Sequence, residues 1–540
     1  MDRGLALTPP PPPKLSSDGN DGSVGHHNGT GSHHHKSCLL MQNTYVPEFP
    51  TGQESGHYLS LDLGTTNFRV VLSKLGSGSQ KNEFSVKYYD IPDDCRRGPS
   101  INLFDFLAAS IDDFVTTSTY LSPSSTTTTT CAINGTGGGG GGSGGGVGKR
   151  LALGFTFSFP MSMRALNVGL LETWTKNFDC PDAVGRDCAR LLQEAIDRVR
   201  SGGLPVDVVA ILNDSTGTLV KGVYLDGKCS VGMILGTGSN MCYIERADRV
   251  EKWVDRCQSE YADCREVAIN VESGAFGDNG CIDFVRTQVD RELDRESLFP
   301  QSFTFEKYFS GHFIGDLVRR VLVLLASNRV LFDGIVTDEL ATMGTVSSTD
   351  LSIIEGDERE SKQFVRQLAA RLGYTLPMIT DDDVAVVRYA SALVTVRATQ
   401  LISATLAAVV DRIDRRHITV AIDGSLYKHH PKFHDLITDF TRELMMASTD
   451  SSSTAGADTA TDKTIKLILA EDGSGKGAGL VAAIAHRFWL KHNNSNCPSV
   501  SSSSSSSSSL YRFLIRSDIT TTAMSNIAAT NSSPRVRPCR

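Results

Sequence analysis

The sequence lacks the cysteine pattern of a disulfide-stabilised or zinc-binding protein. Its 12 cysteines among 540 residues are irregularly spaced, and no two of them form a Cys-x-x-Cys pair. A chain of this length also does not need covalent cross-links to hold a core. The cysteines therefore favour reduced thiols in a cytoplasmic protein over a disulfide framework.

Long hydrophobic runs and concentrated positive charge are missing as well. The N-terminus has no apolar segment typical of a signal peptide, and an apolar run such as Val321–Ala326 is far too short to cross a bilayer. The formal net charge is −8, and no basic stripe indicates nucleic-acid binding. We therefore expect small-molecule partners, no nucleic acid and no integral membrane segment, and we favour a monomer.

Several parts of the chain contain almost no apolar residues and instead carry tracts of Thr, Gly, Ser, Pro or His. Such segments cannot bury enough apolar surface to offset the entropy lost on ordering. The tracts His26-His27 and His33–His35 could bind a metal, although a low-complexity tail is the simpler interpretation. We expect no stable structure in the N-terminus, in two insertions and in the Ser-rich tail, at residues 1–44, about 117–149, about 447–462 and 491–540.

The rest of the sequence alternates strand-like and helix-like patterns in two similar halves. In the first half, Tyr58–Leu63 and Phe68–Leu72 are predicted strands on either side of a glycine-containing turn. The second half repeats this pattern with Val231–Leu235 and Met241–Glu245. Segments with apolar residues at helical spacing, such as Val384–Val410, fit between the strands. The pattern predicts an α/β fold.

The turn in each half is suited to binding phosphate. A glycine at Gly64 in the first turn, or at Gly236 in the second, lets backbone N–H groups approach an anionic oxygen closely. Between them, the apolar run Val206–Leu212 ends at Asn213-Asp214, and the carboxyl end of a buried strand is a common place for chemistry. Two such turns around a carboxylate indicate an ATP-dependent phosphotransferase. Taken alone, Asp214 is favoured as a helix N-cap, a role that is compatible with catalysis.

Taken in order, the segments of this chain resemble those of the hexokinase and glucokinase family. The resemblance runs from about Tyr45 to His486, apart from the inserted tracts. It implies a two-domain actin-like ATPase (ribonuclease H-like) fold with a central cleft, and transfer of the ATP γ-phosphoryl group to the 6-hydroxyl of a hexose such as glucose. The matching segments are Asp62–Arg69, Leu153–Pro160, Trp174–Lys176, Leu212–Leu219, Gly236–Asn240, Asn270–Asp278, Phe305–Gly311, Asp423–Lys428 and Glu471–Gly477.

The resemblance also implies a division of the chain and the roles of individual residues. The small domain would span residues 45–211, the large domain 212–473, and a C-terminal helix at 474–490 would return to the small domain. Asp214 would be the catalytic base. The residues implied to bind the sugar are Ser158, Thr175, Lys176, Asn213, Asp214, Asn240, Glu272 and Glu306.

The nucleotide site implied by the resemblance combines both glycine turns with the two adenosine-side segments. Mg²⁺ would be held through the ATP phosphates, with Asp62 reaching it through water. The residues implied to bind ATP are Asp62, Gly64, Thr65, Thr66, Asn67, Arg69, Gly236, Thr237, Gly238, Ser425 and Gly475.

The chain departs from the family pattern at a few positions, which leaves alternatives open. Thr65 replaces the usual second glycine of the first turn, Ser273 replaces a tryptophan, and Met161–Met163 replaces the usual residues after the sugar loop. These changes motivate a second hypothesis, a catalytically weak sugar sensor or scaffold. A third is an actin-like or chaperone ATPase without a sugar site, and the set of sugar residues argues against it. We favour the enzyme, because every candidate catalytic and sugar-binding side chain is present.

Overall fold

The structure is a computed structural model that describes most of the chain between residues 37 and 495. The expectations for the histidine tracts and the low-complexity segments fall mainly outside it, as do those for Thr65, Thr66, Asn67 and Lys176. The described residues are 37–64, 68–76, 82–118, 150–175, 177–200, 205–254, 261, 264–356, 358–451 and 463–495.

Strands and helices alternate along the described residues, as the pattern predicted. The strands are β1 (Gln42–Asn43), β2 (Gly56–Leu63), β3 (Phe68–Leu75), β4 (Glu83–Tyr89), β5 (Leu151–Phe157), β6 (Met161–Ala165), β7 (Val168–Leu171), β8 (Val206–Leu212), β9 (Cys229–Leu235), β10 (Ser239–Arg246), β11 (Glu266–Asn270), β12 (His417–Asp423) and β13 (Thr464–Leu469). The helices are α1 (Asp93–Arg96), α2 (Ser100–Thr117), α3 (Cys188–Val199), α4 (Asp214–Leu225), α5 (Glu251–Val254), α6 (Gln288–Glu296), α7 (Ile314–Ser327), α8 (Asp338–Ala341), α9 (Ser348–Ile354), α10 (Glu358–Arg371), α11 (Asp381–Arg412), α12 (Ser425–His429), α13 (Phe433–Ser451) and α14 (Gly473–Ser495).

Two main sheets repeat one arrangement. The five-stranded sheet has the order β4-β3-β2-β5-β8, and the six-stranded sheet has the order β1-β11-β10-β9-β12-β13. In each, an antiparallel hairpin (β2–β3 or β9–β10) lies beside a parallel neighbour (β5 or β12). The hairpin turns therefore lie at the edge where the parallel strands end. This repetition confirms the predicted α/β fold with two similar halves.

The strands that end at this edge are apolar because they are covered on both faces. All residues of β2, β5 and β8 are buried. Helices α4 and α14 pack against each other, and α14 also contacts β2 and β5. Strand β8 runs into α4, which leads to β9 in the second sheet. The polar residues at the start of α4 are thereby held at the junction of the two sheets.

The described N-terminal residues are more ordered than their composition predicted. Residues 37–44 were expected to have no stable structure, yet they include β1, whose Gln42 pairs with Asn270 of β11. A few buried apolar side chains, Met41 and Tyr45 among them, fix this segment to the second sheet. Composition alone does not predict this strand, because its hydrogen-bond partners come from the edge of the neighbouring strand β11. Likewise, α13 continues to Ser451 and α14 to Ser495, a few residues into predicted low-complexity stretches.

One described helix meets the length and hydropathy criteria for crossing a membrane. It is α11, with 32 residues, and half of its most apolar stretch is buried inside the protein. Its buried residues pack against α13 and α7. A capping box begins the helix: the carboxylate Oδ2 of Asp383 accepts from the backbone N of Thr380 at 2.9 Å and from its Oγ1 at 2.6 Å. We interpret α11 as a core helix.

Candidate active site

The catalytic segment lies where the buried strand β8 becomes the helix α4. Asn213 is the N-cap, and its Oδ1 accepts a hydrogen bond from the Ser215 backbone N at 3.0 Å. Asp214 is the first helical residue, and its Oδ1 accepts from the same N–H at 2.8 Å. The capping role considered for Asp214 therefore falls mainly on its neighbour. A carboxylate at a helix N-terminus is also favoured by the helix dipole.

Asn240 joins Asn213 to two side chains at the end of β11, Asn270 and Glu272. The Nδ2 of Asn240, at the start of β10, donates to Asn213 Oδ1 at 3.1 Å and to Asn270 Oδ1 at 2.8 Å. It also lies 3.3 Å from Glu272 Oε1, which accepts from Asn270 Nδ2 at 2.6 Å. An amide has two N–H donors, so Asn240 shares them among three acceptors. The group is thus rich in acceptors relative to donors.

Glu272 is held in an uncommon backbone conformation. Its φ is +55° and its ψ +52°, the left-handed region that a non-glycine residue rarely adopts. Such strain persists only where the surroundings enforce it, and it clusters at functional sites. The conformation follows β11 directly and points the chain from Asn270 into a short helical turn at Ser273–Ala275.

Glu306 reaches the second glycine turn. Its Oε2 accepts from the backbone N of Ser239 at 2.9 Å. A Cβ at Gly238 would lie 2.9 Å from the same oxygen, so the glycine is needed for this approach. The predicted sugar residue Glu306 therefore touches the same turn that carries the predicted nucleotide residues Gly236–Gly238.

The segment that carries Glu306 is fastened by two acids, Asp278 and the buried Asp294. Asp278 accepts from the backbone N of Phe303 at 3.0 Å and of Thr304 at 2.8 Å. Burial raises the pKa of the Asp278 carboxyl, and these backbone bonds oppose the rise. On the other side, Lys307 donates to Asp294 Oδ1 at 2.5 Å in a buried ion pair. The position of Glu306 is thus set from both sides.

Of the two remaining described sugar residues, Ser158 lies at the end of the first sheet, and Thr175 follows the separate hairpin of β6 and β7. Ser158 follows β5, whose Thr156 pairs with Leu212 of β8, so the strand register brings Ser158 to the same edge as Asn213. Thr175 follows β7 in a half-buried segment. Within the described part of the chain, no hydrogen bond links Thr175 to the group around Asn213.

A small cleft, partly open to solvent, adjoins the group. Asn213, Asn270 and Glu272 line its polar side. Phe159, from the matching segment Leu153–Pro160, and Met161, from the segment that departs from the family pattern, line its apolar side.

The second glycine turn is packed against the adenosine-side segment. Gly236 N donates to Gly238 O at 3.0 Å, and Gly311 N donates to Gly236 O at 2.8 Å. Gly424 has φ +121°, and a Cβ there would lie 2.4 Å from the Leu235 carbonyl. The exposed Ser425 follows at the start of α12. The predicted residues Gly236, Thr237, Gly238 and Ser425 are thus brought together.

The first glycine turn is tied to the C-terminal helix through Arg69. Arg69 donates to Asp62 Oδ2 from Nε at 3.0 Å and to Asp472 Oδ1 from Nη1 at 2.8 Å. Burial lowers the pKa of Arg69, but Asp62 and Asp472 more than offset this, and the net shift is upward. Ser474 Oγ also donates to Asp62 Oδ2, at 2.9 Å. Next to it, a Cβ at Gly475 would stand 3.3 Å from the Arg69 guanidinium.

A second acid, the half-buried Asp423, joins the two nucleotide regions. Asp423 ends β12, and its carboxylate accepts from the backbone N of Gly424 at 2.8 Å and of Gly473 at 2.7 Å. Burial raises its pKa, while those backbone bonds and Arg69 lower it. Asp423 thus connects the second glycine turn with the start of α14, where Arg69 and Asp62 meet.

Sequence reasoning missed Asn270 and Asp423 as site residues, although both stood inside matched segments. Asp423 ends β12, so the rule that located Asn213 and Asp214 at the carboxyl end of β8 would also have indicated this residue. Nothing in the sequence singles out Asn270, because its role depends on its contact with Asn240, thirty positions away.

Comparison with known proteins identifies the family. Two family models, both described as hexokinase, match residues 26–224 and 230–484. The chain is 38% identical over 454 residues to Hexokinase-1 of Pongo abelii and 36% identical over 459 residues to Hexokinase-2 of Homo sapiens, covering 83% and 84% of this chain. In both cases it spans 44% of the relative's length.

A solved structure shows the same similarity. A hexokinase from Schistosoma mansoni complexed with glucose is 34% identical, with a TM-score of 0.68, covering 84% of this chain and 90% of that one. The resemblance and the two-domain fold class predicted from the motifs are thereby confirmed. The chain belongs to the hexokinase family.

Proposed function

We propose that this protein transfers the γ-phosphoryl group of ATP to the 6-hydroxyl of a hexose, with glucose as the first candidate. The observation that carries the proposal is the acceptor-rich group formed by Asn213, Asn240, Asn270 and Glu272. A sugar presents several hydroxyl donors, and charge-assisted bonds to carboxylates offset the cost of removing it from water. Family membership and the glucose complex of the Schistosoma relative support the same substrate.

Asp214 is the proposed general base. A sugar hydroxyl is a poor nucleophile at neutral pH, so a carboxylate must orient it and accept its proton as the new bond to phosphorus forms. Asp214 adjoins Asn213, which belongs to the group that would hold the sugar. In this proposal Asn213, Asn240, Glu272 and Glu306 bind and orient the hexose, and Ser158, Thr175 and Lys176 complete its site.

The nucleotide site is proposed at the two glycine turns. Backbone N–H groups of Gly64 and Gly236–Gly238 would bind phosphate oxygens, with Thr65, Thr66, Asn67 and Thr237, while Ser425 and Gly475 would contact the adenosine side. Arg69 is already paired with Asp62 and Asp472. We therefore propose that it contributes by holding the first turn in place.

The residues present fit a magnesium ion bound mainly through ATP. Mg²⁺ keeps several waters and typically takes only one or two protein carboxylates. Among the described residues, the hydrogen bonds that Asp62 accepts all reach Oδ2. Asp62 would therefore hold the ion through water by Oδ1, and bound Mg²⁺ would supply charge stabilisation for the phosphoryl group.

We further propose that a small domain (45–211) and a large domain (212–473) close around the sugar. In this proposal the C-terminal helix packs against the small domain. Closure would exclude water and so protect ATP from hydrolysis. A cytoplasmic monomer fits the reduced cysteines and the substrates, which are small molecules.

Replacing Asp214 tests the proposed mechanism. In an assay that couples ADP release to a measurable signal, we expect Asp214→Ala to lose at least about 10²-fold in kcat with glucose, the low end for removal of a general base. Asp248→Ala, a substitution of an exposed acid, is the matched control and should keep normal turnover. Near-normal turnover of Asp214→Ala would refute the role of base.

The same ADP assay, together with calorimetry, separates the enzyme from the two alternative functions. Glucose binding by calorimetry without ADP release in the wild type would favour a sugar sensor, and ATP turnover independent of sugar would favour an ATPase. Comparing kcat/KM for glucose, fructose and mannose would define the preferred hexose.

A further inference from the structure

Two cysteines from distant parts of the sequence meet beside the segment that carries Glu272. Cys38 lies just before β1, and its Sγ accepts a hydrogen bond from the backbone N of Gly277 at 3.3 Å. The side chain of Cys281 lies within hydrogen-bonding reach of the Cys38 thiol. Both are free thiols, Cys38 half-buried and Cys281 exposed.

Residues just after Cys38 adjoin the start of the Glu272 segment, and Cys281 lies at its end. On one side, Met41 N donates to Val271 O at 3.3 Å, next to the pairing of β1 with β11. On the other, Gly280 N donates to Gly277 O at 2.9 Å in the turn that leads to Cys281. A covalent bond between the sulfurs would tie Cys38, close to the strand that pairs with the start of the Glu272 segment, to Cys281 at the end of that segment.

The solvent exposure of Cys281 distinguishes this pair from the other described cysteines. Among these, Cys281 alone is exposed, while Cys180, Cys188, Cys229 and Cys242 are buried. Burial raises the pKa of Cys180 to about 11 and that of Cys229 to about 12. Because the thiolate is the reactive form, buried thiols of this kind are inert.

We propose that Cys38 and Cys281 form a reversible disulfide when the protein meets a peroxide, and that this bond weakens hexose binding. The second part rests on the proposed function. The Cys281 thiolate attacks a peroxide oxygen, giving a sulfenic acid and, from hydrogen peroxide, one water. The Cys38 thiolate then attacks that sulfur and displaces the hydroxyl as a second water. Two thiols are oxidised and one peroxide is reduced.

The geometry gives the direction of the effect on binding. A disulfide requires an S–S distance of about 2.05 Å, so the turn at Gly277 must move toward Cys38. The hydrogen bond from Gly277 N to Cys38 Sγ would be disturbed, and Glu272, already at φ +55°, lies in the same segment. Displacing Glu272 weakens the acceptor group, so glucose should bind less tightly.

Oxidation of the full chain with hydrogen peroxide, followed by non-reducing peptide mapping, tests the bond. We expect a linked Cys38–Cys281 peptide, about 2 Da lighter than its two thiol parts, that dithiothreitol releases. Burial and the Cys38 neighbour raise the pKa of Cys281, so the bond should form faster at pH 9 than at pH 7. Cys281→Ser and Cys38→Ser should both abolish it, whereas Cys95→Ser should not.

Calorimetry then measures the effect of the disulfide on glucose binding, a readout that does not depend on turnover. We expect the Kd for glucose to rise at least about threefold on oxidation of the wild type, a loss of about 0.7 kcal/mol, and to stay unchanged in Cys281→Ser. Absence of the linked peptide would overturn the proposal, as would an equal Kd change in Cys281→Ser. A bond without a Kd change would overturn its effect on binding. If reduced protein binds no glucose, the proposed function fails, while the mapping still decides the bond.

Discussion

At the scale of single residues, Asn270 holds the sugar group together. Its Oδ1 accepts from Asn240 at 2.8 Å and from Ser215 Oγ at 3.2 Å, and its Nδ2 donates to Glu272 at 2.6 Å. One side chain thus connects strand β10, helix α4 and the strained Glu272. Because Asn270 acts through these neighbours, it is a positioning residue.

We predict that Asn270→Ala raises the KM for glucose about tenfold with a smaller change in kcat. Removing a hydrogen bond to a charged group costs about 1.5–3 kcal/mol, and here the loss falls on binding by Glu272 and Asn240. Steady-state kinetics checks this split. Asn328→Ala, at an exposed helix end, should leave both constants unchanged. An equal fall in kcat with unchanged KM would contradict a positioning role.

At the scale of elements, glycines let α4 and α14 approach each other closely. A Cβ at Gly477 would lie 2.0 Å from the Gly217 carbonyl O, and one at Gly217 would lie 2.7 Å from the Ser474 O. On the other side of α14, a Cβ at Gly154 would be 2.2 Å from the Ala478 O. The atoms in the way are backbone, so they cannot turn aside.

We predict that Gly477→Ala lowers the free energy of unfolding by about 1–3 kcal/mol, because the added methyl forces α14 away from α4. Since α4 begins at Asp214, kcat should fall as well. Chemical denaturation and kinetics measure the two effects. Gly227→Ala is the matched control, because a Cβ there meets nothing within 4 Å. A Gly477→Ala protein as stable as this control would contradict the close packing.

At the scale of the whole molecule, a buried lysine lies where the two halves meet. Lys221 on α4 is 8% exposed, with its Nζ 5.5 Å from the ring centre of Phe84 on β4 and 5.3 Å from that of Tyr224. Burial and the nearby Lys476 together lower its pKa to about 8, against the opposing effect of Asp472. Below about pH 8 this charge is held in the folded protein at a cost, which cation–π contacts partly offset.

We predict that Lys221→Met raises the free energy of unfolding at pH 7 by about 1–3 kcal/mol. The unfolded chain keeps this proton up to about pH 10.4, whereas the folded chain releases it near pH 8. The wild type therefore gains stability from this group as the pH rises through that window, and the advantage of the variant should shrink. Denaturation at pH 7 and pH 10 tests this, with Lys466→Met, at an exposed position, as the control. A constant difference at both pH values would contradict the burial penalty.

Much of the fold and of the site could be predicted from local sequence. The strand Val206–Leu212 was predicted with its observed bounds, because all seven positions are buried and all but Asp207, which pairs with Arg150, are apolar. Asn213 and Asp214 followed from the end of that strand. Other bounds moved by a few residues; the predicted helix Val384–Val410 in fact spans Asp381–Arg412, because the capping box at Thr380 and Asp383 begins it before the apolar pattern does.

The sequence by itself determined the family, the alternation of strands and helices and the residue types of the site, because apolar periodicity and short motifs are local properties. Only the tertiary structure decided that Asn270 links Asn240 to Glu272, that Arg69 is paired with Asp62 and Asp472, and that residues before Tyr45 extend the second sheet. These features depend on contacts between groups far apart in the chain. Their energies arise from distance and burial, which a linear pattern does not contain.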